Sequence, residues 1–528
     1  MPRSRVTSLC AFVPLCLCAF ASAAPPEINF TIDGSNSHPI SPYIYGHNQA
    51  DFKTQKNLTL TRWGGNRTTA YNWETNASNA GCDWLHQNDD YLSKSNAPAA
   101  PVLALITAAH KANAAAIITI PTIGHVAADK NNDGDVNKTP DYLAHRFVPS
   151  FPSNGRRPTT SRPSLPRLTG ECVYQSDFIE YLEKSFPESR TSPATTIFYA
   201  LDNEPDLWAE THARIHPAKI TYAELIKNNI EYAAAIKAIA PQALVFGFCS
   251  YGFAGFSTLQ DAPDADKRNI LDVYLAAMAA AEKTAGKRLI DVVDLHWYPE
   301  ARANNIRIIE DNADPAAAAA RIQAPRSLWD PAYTEESWIT KDHTHGHIAL
   351  IPTVKARIAQ HYPGTKLALA EYYFGGGDHI SGALAQADAL GIFAREDLFA
   401  AALWHIGKTH DPYILGAFQM YLDYDAQGST VGNTSLAATT TDTARASLYA
   451  TRNPAGQLVL VALNKTDHPL TTDTLFKDLA PLPTSVSLYR LTAADPHPHP
   501  AGPAPLTESH LFLTLPAYSI TTIVIPAN

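Results

Sequence analysis

Thr196-Ile197-Phe198-Tyr199-Ala200-Leu201-Asp202-Asn203-Glu204-Pro205 is an apolar, β-rich run that ends in a carboxylate, an amide, a second carboxylate and a proline. A strand that carries polar groups only at its C-terminal tip suits a parallel barrel, whose strand ends converge on one mouth. Far downstream, Leu367-Ala368-Leu369-Ala370-Glu371-Tyr372-Tyr373-Phe374 repeats the arrangement with a lone Glu371. Working outward, further strand-like runs lie at 43–47, 58–64, 116–123, 244–249, 292–298 and 400–406, and helix-sized stretches separate them. Eight such strands in alternation with helices predict an α/β chain built on a (β/α)8 TIM barrel.

The intervening stretches carry helix signals of their own. Thr221 and Glu224 form a capping box before Leu225, Ile226, Ile230, Ala233 and Ile236, which share one face until Pro241. A second helix over 269–283 stops before Gly286. The segment 147–168 is rich in Pro, Ser and Arg without periodicity and reads as a long loop. Beyond a Ser/Thr-rich link ending near Asp442, β runs at 447–451, 458–463, 485–491, 511–515 and 520–525 predict a small β-sandwich. Alternating residues in 24–44 (Ile28, Phe30, Ile32) predict N-terminal strands that join it. The expected division is 1–23 as a signal peptide, 24–45 as N-terminal strands, 46–435 as the barrel and 436–528 as the sandwich.

Residues 1–23 begin with Arg3 and Arg5, continue through an apolar stretch and close on Ala21-Ser22-Ala23, the pattern of a cleaved secretory signal. Secretion, to the exterior or the periplasm, is therefore expected. The formal net charge of -10 argues against nucleic acid or an anionic membrane as partner and is indifferent to an uncharged polymer. Once Cys10, Cys16 and Cys18 leave with the signal, Cys82, Cys172 and Cys249 remain, an odd set that permits at most one disulfide. Cys82 with Cys172 is the preferred pair, because both sit in expected loops.

A residue in a barrel matters by its place on its strand. Glu204 closes the fourth strand and Glu371 nears the end of the seventh, so the two would face each other across the mouth. One carboxyl kept protonated and one kept ionised is the equipment for cutting a glycosidic bond. Asn203 could hydrogen-bond a sugar hydroxyl, and Arg62, at the end of the second strand, could pair with a carboxylate and hold it ionised. At the end of the sixth strand Tyr298 could orient the nucleophile, whereas His296 is either part of the site or a satisfied core histidine. Sugar rings lay their C–H faces on aromatic surfaces, and Trp63, Trp73, Trp84, Trp208, Trp329, Trp338 and Trp404 all follow or lie on strands near that mouth. Trp404 and Trp73 are the first choices for substrate contact, with Trp63 and Trp329 next.

Asp129-Lys130-Asn131-Asn132-Asp133-Gly134-Asp135 begins like a calcium loop, but its twelfth position is Pro140 where a bidentate Glu is needed. No cofactor is expected to be required, and a structural calcium is the one metal to test. The chain carries no P-loop, dinucleotide fingerprint or Gly-x-Ser-x-Gly elbow.

Several long runs resemble glycoside hydrolase family 44. They are Thr61-Arg62-Trp63-Gly64-Gly65-Asn66-Arg67, Ala70-Tyr71-Asn72-Trp73-Glu74, Leu201-Asp202-Asn203-Glu204-Pro205, Arg214-Ile215-His216-Pro217, Arg321-Ile322-Gln323-Ala324-Pro325-Arg326, and Ile380-Ser381-Gly382 through Gln386-Ala387-Asp388. The resemblance implies a retaining endo-β-1,4-glucanase acting on xyloglucan and soluble cellulose derivatives, with Glu204 as acid/base and Glu371 as nucleophile. The Arg- and Pro-rich loop before Cys172 departs from the family pattern. A β-1,4-mannanase or xylanase of the same chemistry, and a glycan-binding protein without catalysis, are the alternatives. The expected partner is the polysaccharide alone, bound by a monomer.

Overall fold

In the barrel strands every second residue must face the interior and every other one the helices, so both sets are apolar and the strands read as continuous hydrophobic runs. The computed structural model describes residues 25–155, 171–310, 312–405, 411–479 and 481–527. The signal-like segment 1–23 and residues 156–168 of the proline-rich stretch lie outside the described residues.

Eight parallel strands close into the barrel in chain order: Tyr43–Asn48, Leu60–Trp63, Ala115–Ile120, Ile197–Leu201, Val245–Ser250, Val292–Trp297, Lys366–Tyr372 and Ala400–Leu403. Leu60, Ile117, Phe198, Phe246 and Ala368 fill the interior. Their strand neighbours Trp63, Ile118, Tyr199, Val293 and Leu369 pack outward in the larger core with the helices. The helix Tyr222–Ile239 starts where the capping box places it, with Thr221 Oγ1 accepting the Glu224 amide at 3.1 Å. Asn269 caps Ile270–Ala285, which ends at Gly286 with φ +65°.

A nine-stranded sheet accompanies the barrel. Ile28–Pro39 lies inside it, antiparallel to Thr434–Thr440 and parallel to Leu470–Lys477. Asp495–Pro505 and His510–Leu515 stand at opposite ends of the strand order, yet only four residues of chain join them, so the sheet curls over on itself as a sandwich does. One face closes its own core through Ile28, Phe30, Leu460, Leu488 and Ile523. The other face sends Tyr449, Val461, Leu463 and Ile520 into the barrel's outer core. Two expectations change here. Phe147–Phe151 is a strand, paired with His125–Ala127 and Val173–Tyr174, because Phe147 and Ser150 are buried against the body of the chain. Thr434–Thr440 is likewise a strand, not a link, because Ile28–Pro39 needs a partner. Among the described residues no helix is long and apolar enough to cross a membrane.

Candidate active site

The interior face of four strands delivers the site. Arg62, from the second strand, is fully buried and donates from its two terminal nitrogens to Glu371 Oε1 at 2.6 Å, Asn48 Oδ1 at 3.1 Å and Asn203 Oδ1 at 2.8 Å. The Tyr298 hydroxyl donates to Glu371 Oε2 at 2.7 Å. His296 Nδ1 lies 2.8 Å from Glu204 Oε1 and 3.5 Å from Glu371 Oε2, so one imidazole spans both carboxylates. The three groups offer atoms within 4.8 Å of one another.

This arrangement pushes the carboxyls apart. Burial raises Glu204, and the charge of Glu371 adds to that rise against the opposing His296 hydrogen bond. Burial would raise Glu371 too, but His296, Arg62 and the Tyr298 hydroxyl together outweigh it and hold the group below its ordinary value. His296 is raised despite its burial, because both carboxylates favour its cation. The pair is thus one acid that keeps its proton and one carboxylate that loses it. These donors could also surround a divalent cation, but Arg62 already places a fixed positive charge on Glu371.

The acid lies on a strained segment. Asp202 and Glu204 both occupy the left-handed region, at φ +65° and +48°. Such residues cost about 1 kcal/mol or more each and persist where neighbours over-determine them. Asp202 supplies that restraint: Oδ1 accepts Thr69 Oγ1 at 2.7 Å and the Asn203 amide at 2.8 Å, and Oδ2 accepts the amide and hydroxyl of Thr122. Asp206 anchors the far side through Ser250 Oγ at 3.0 Å and the Tyr251 amide at 3.1 Å. Asp202, Asp206 and Asn48 have no role in the sequence reading. The first two carry the signal that exposed Glu204, a charge beside an apolar strand, but nothing local says which neighbour each will bind.

Trp404 borders the site. Gly65, at φ +94°, donates its amide to Asn203 Oδ1 at 3.1 Å, and a Cβ there would lie 2.4 Å from the Trp404 ring. The other tryptophans need correction. Trp63 faces outward because Arg62 beside it faces inward, and its ring packs edge-on against Tyr71. Trp73 is fully buried, stacked on Phe178 at 5.5 Å, so the first-choice platform is core. Trp208 is buried as well. Trp329 lies under the Arg395 guanidinium, 3.8 Å from the ring centroid, at the C-terminal end of Ile380–Arg395 and away from the mouth. Trp84 is instead the exposed tryptophan, 58% accessible, beside a turn at Gly81–Asp83 that packs on Trp208–Thr211 just past Glu204.

Cys82 and Cys172 are not joined: Cys82 is exposed in its turn and no disulfide forms between them. The calcium reading does not fit its donors. Arg146 donates to Asp129 and Asp133, and Arg214 to Asp135, so guanidinium groups already occupy the carboxylates a cation would need.

A family model described as Glycoside hydrolase family 44 matches residues 77–301. The structure of a Paenibacillus polymyxa xyloglucanase of family 44 superimposes with a TM-score of 0.89 at 34% identity, covering 95% of this chain and 100% of that one. The chain belongs to glycoside hydrolase family 44. Two further relatives agree. Beta-mannanase/endoglucanase A of Caldicellulosiruptor saccharolyticus is 39% identical over 510 residues, 91% of this chain and 37% of the relative. Endoglucanase A of Paenibacillus lautus is 39% identical over 473 residues, 86% of this chain and 66% of the relative. The family 44 chain described here thus spans about a third of the first and about two thirds of the second.

Proposed function

We propose that the protein is a retaining endo-β-1,4-glucanase that cleaves xyloglucan and soluble cellulose derivatives by double displacement. The observation that carries the reading is the Glu204–His296–Glu371 cluster, in which one oxygen or nitrogen from each side chain lies within 4.8 Å of the others. Retention needs carboxyl groups about 5–5.5 Å apart and inversion about 6.5–9.5 Å. Glu371 attacks the anomeric carbon while Glu204 gives its proton to the leaving oxygen. Glu204, now ionised, takes a proton from water, which attacks the glycosyl-enzyme and frees Glu371. Arg62 and Tyr298 keep Glu371 ionised and aimed; His296, between the two groups, hydrogen-bonds Glu204 and adds positive charge that favours ionised Glu371. Trp404 and Trp84 would supply flat surfaces for the chain on either side of the cleaved bond.

The names of the relatives include a mannanase, and a mannanase or xylanase remains the second reading. A panel of xyloglucan, carboxymethylcellulose, mannan and xylan scored for new reducing ends separates them. Proton NMR of the first-formed product tests the mechanism: the α-anomer appearing first overturns retention. Glu371→Gln should abolish turnover, whereas Glu204→Gln should retain the first-turnover release of dinitrophenol from a dinitrophenyl cellobioside, whose leaving group needs no acid, and then stall at the glycosyl-enzyme until an added anion such as azide replaces the activated water. Equal activity of both variants and the parent would instead favour a non-catalytic glycan binder. The sequence of 1–23 supports secretion, and a monomer acting on polysaccharide alone completes the proposal.

A further inference from the structure

In the seventh strand the parity of side chains does not run straight through. Ala368 faces the barrel interior, and Leu367 and Leu369 face the helices. Strict alternation would turn Ala370 inward and send Glu371 out among the helices. The pairing shows why this does not happen. Leu369 and Glu371 oppose Leu295 and His296, and Leu369 and Tyr372 oppose Ala401 and Leu403, so the seventh strand has one residue more than either neighbour. Ala370 is a β-bulge, which reverses the parity: Glu371 enters the mouth and Tyr372 goes out to the helices.

A bulge leaves backbone groups without ladder partners, and here side chains take them. The Ala370 amide donates to Asp294 Oδ1 at 3.0 Å, and its carbonyl accepts Asn48 Nδ2 at 2.9 Å. Asp294 is fully buried on the sixth strand, two residues below His296. Its other oxygen accepts from the thiol of Cys249 at 3.1 Å. Cys249 is itself an extra residue, in the fifth strand between Phe248 and Ser250, with φ +55°. The Cys249 carbonyl accepts the backbone amide of Glu204 at 2.9 Å. One carboxylate therefore touches the bulge that turns Glu371 inward and the bulge that holds Glu204.

We propose that Asp294 is a positioning residue that sets the separation of Glu204 and Glu371 by pinning both bulges from the strand between them. The inference rests on the reading of these two glutamates as the catalytic pair. Asp294 reaches neither substrate nor the reacting atoms; it acts through the backbone of Ala370 and through Cys249.

The full chain with Asp294→Leu or Asp294→Asn provides the test, with cello-oligosaccharides, xyloglucan and dinitrophenyl cellobioside as substrates. Leucine removes the acceptor while keeping the same branched heavy-atom skeleton. It should lower kcat about 100-fold, the cost of a displacement near 1 Å, with KM within about threefold of the parent. The loss should extend to the dinitrophenyl substrate, because a misplaced nucleophile is not rescued by a good leaving group. Asparagine keeps an oxygen for the Ala370 amide and should recover at least about tenfold of that loss, since a hydrogen bond of this kind contributes about 1–1.5 kcal/mol. A purely structural role would instead lower the melting temperature and leave the kcat of the folded fraction unchanged. Equal kcat in the two variants, or an Asp294→Leu kcat within about threefold of the parent, overturns the inference. If Asp294→Leu does not fold, Cys249→Ala takes its place. It should slow glucan hydrolysis more than dinitrophenyl cellobioside hydrolysis, because it acts on the Glu204 side, and equal effects on both overturn the proposal. A parent inactive on every β-glycan sinks the functional reading; an active parent with an unaffected Asp294→Leu sinks only this inference.

Discussion

Tyr298 touches only one oxygen of one carboxylate, yet its position makes a sharp prediction. It donates to the ionised form of Glu371, so Tyr298→Phe should raise the Glu371 pKa and move the acidic limb of kcat/KM to higher pH. The loss at neutral pH should be about 10-fold or more, as expected for a hydrogen bond to a charge. An unmoved limb would show that Arg62 and His296 hold Glu371 unaided. Asp206 bears on stability instead. Burial, reinforced by Glu204, pushes its carboxyl from 3.8 up to about 7. Between those values the folded chain keeps a proton that the unfolded chain has released, so this group's contribution makes stability fall as pH rises through that window. Asp206→Asn should therefore lose less melting temperature than the parent between pH 5 and pH 7, measured by calorimetry. Glu204 and Glu371 were legible in the sequence because each breaks an apolar run. The tryptophans were not, because whether a ring meets substrate or core depends on parity and on loop paths that no single residue reveals. Trp63 faces away for the same reason that Arg62 faces in.

All eight barrel strands could be read from the sequence, since burial on both faces leaves each one a continuous apolar run between helix signals. The helix over Tyr222–Ile239 was equally legible from its cap, and Thr221→Ala should cost about 1 kcal/mol, seen as a lower denaturant midpoint at unchanged slope. What stayed hidden were the interruptions. Residues 367–371 alternate as Leu-Ala-Leu-Ala-Glu, and nothing in that pattern announces that the fourth of them is supernumerary. The strand has, in effect, a reading frame. Deleting Ala370 should leave the helices and barrel largely intact and, because the residue removed is the extra one, restore strict alternation with Glu371 still facing inward and Tyr372 still facing outward. Far-UV circular dichroism near that of the parent, together with lowered but detectable glucanase activity, is the expected result, since Glu371 keeps its facing and loses only the bulge that Asp294 and Asn48 hold; a folded variant without activity would show that the strand slides and turns Glu371 outward.

Barrel and curled sheet share an apolar boundary that contains a buried ion pair, Lys465 with Asp388 at 2.6 Å, and Tyr449 donates to the other Asp388 oxygen at 2.7 Å. Removing one partner strands the remaining charge, so Asp388→Ala should destabilise the chain by about 3 kcal/mol or more. The parent and the variant should each melt in a single transition if the boundary couples the two bodies; two transitions in the variant would show that the contact, not the shared core, joins them. The sequence told that both ends of the chain contribute strands to one sheet, but not how deeply the first is embedded. Ile28–Pro39 is an inner strand, flanked on both sides by strands from the far end of the chain. In order of synthesis, one of the first strands made must wait for the last ones. Until the ribosome has delivered Thr434–Thr440 and Leu470–Lys477, Ile28, Phe30 and Ile32 have no sheet to enter. The barrel between them can close earlier, so the molecule is fastened last at the place where its two ends meet.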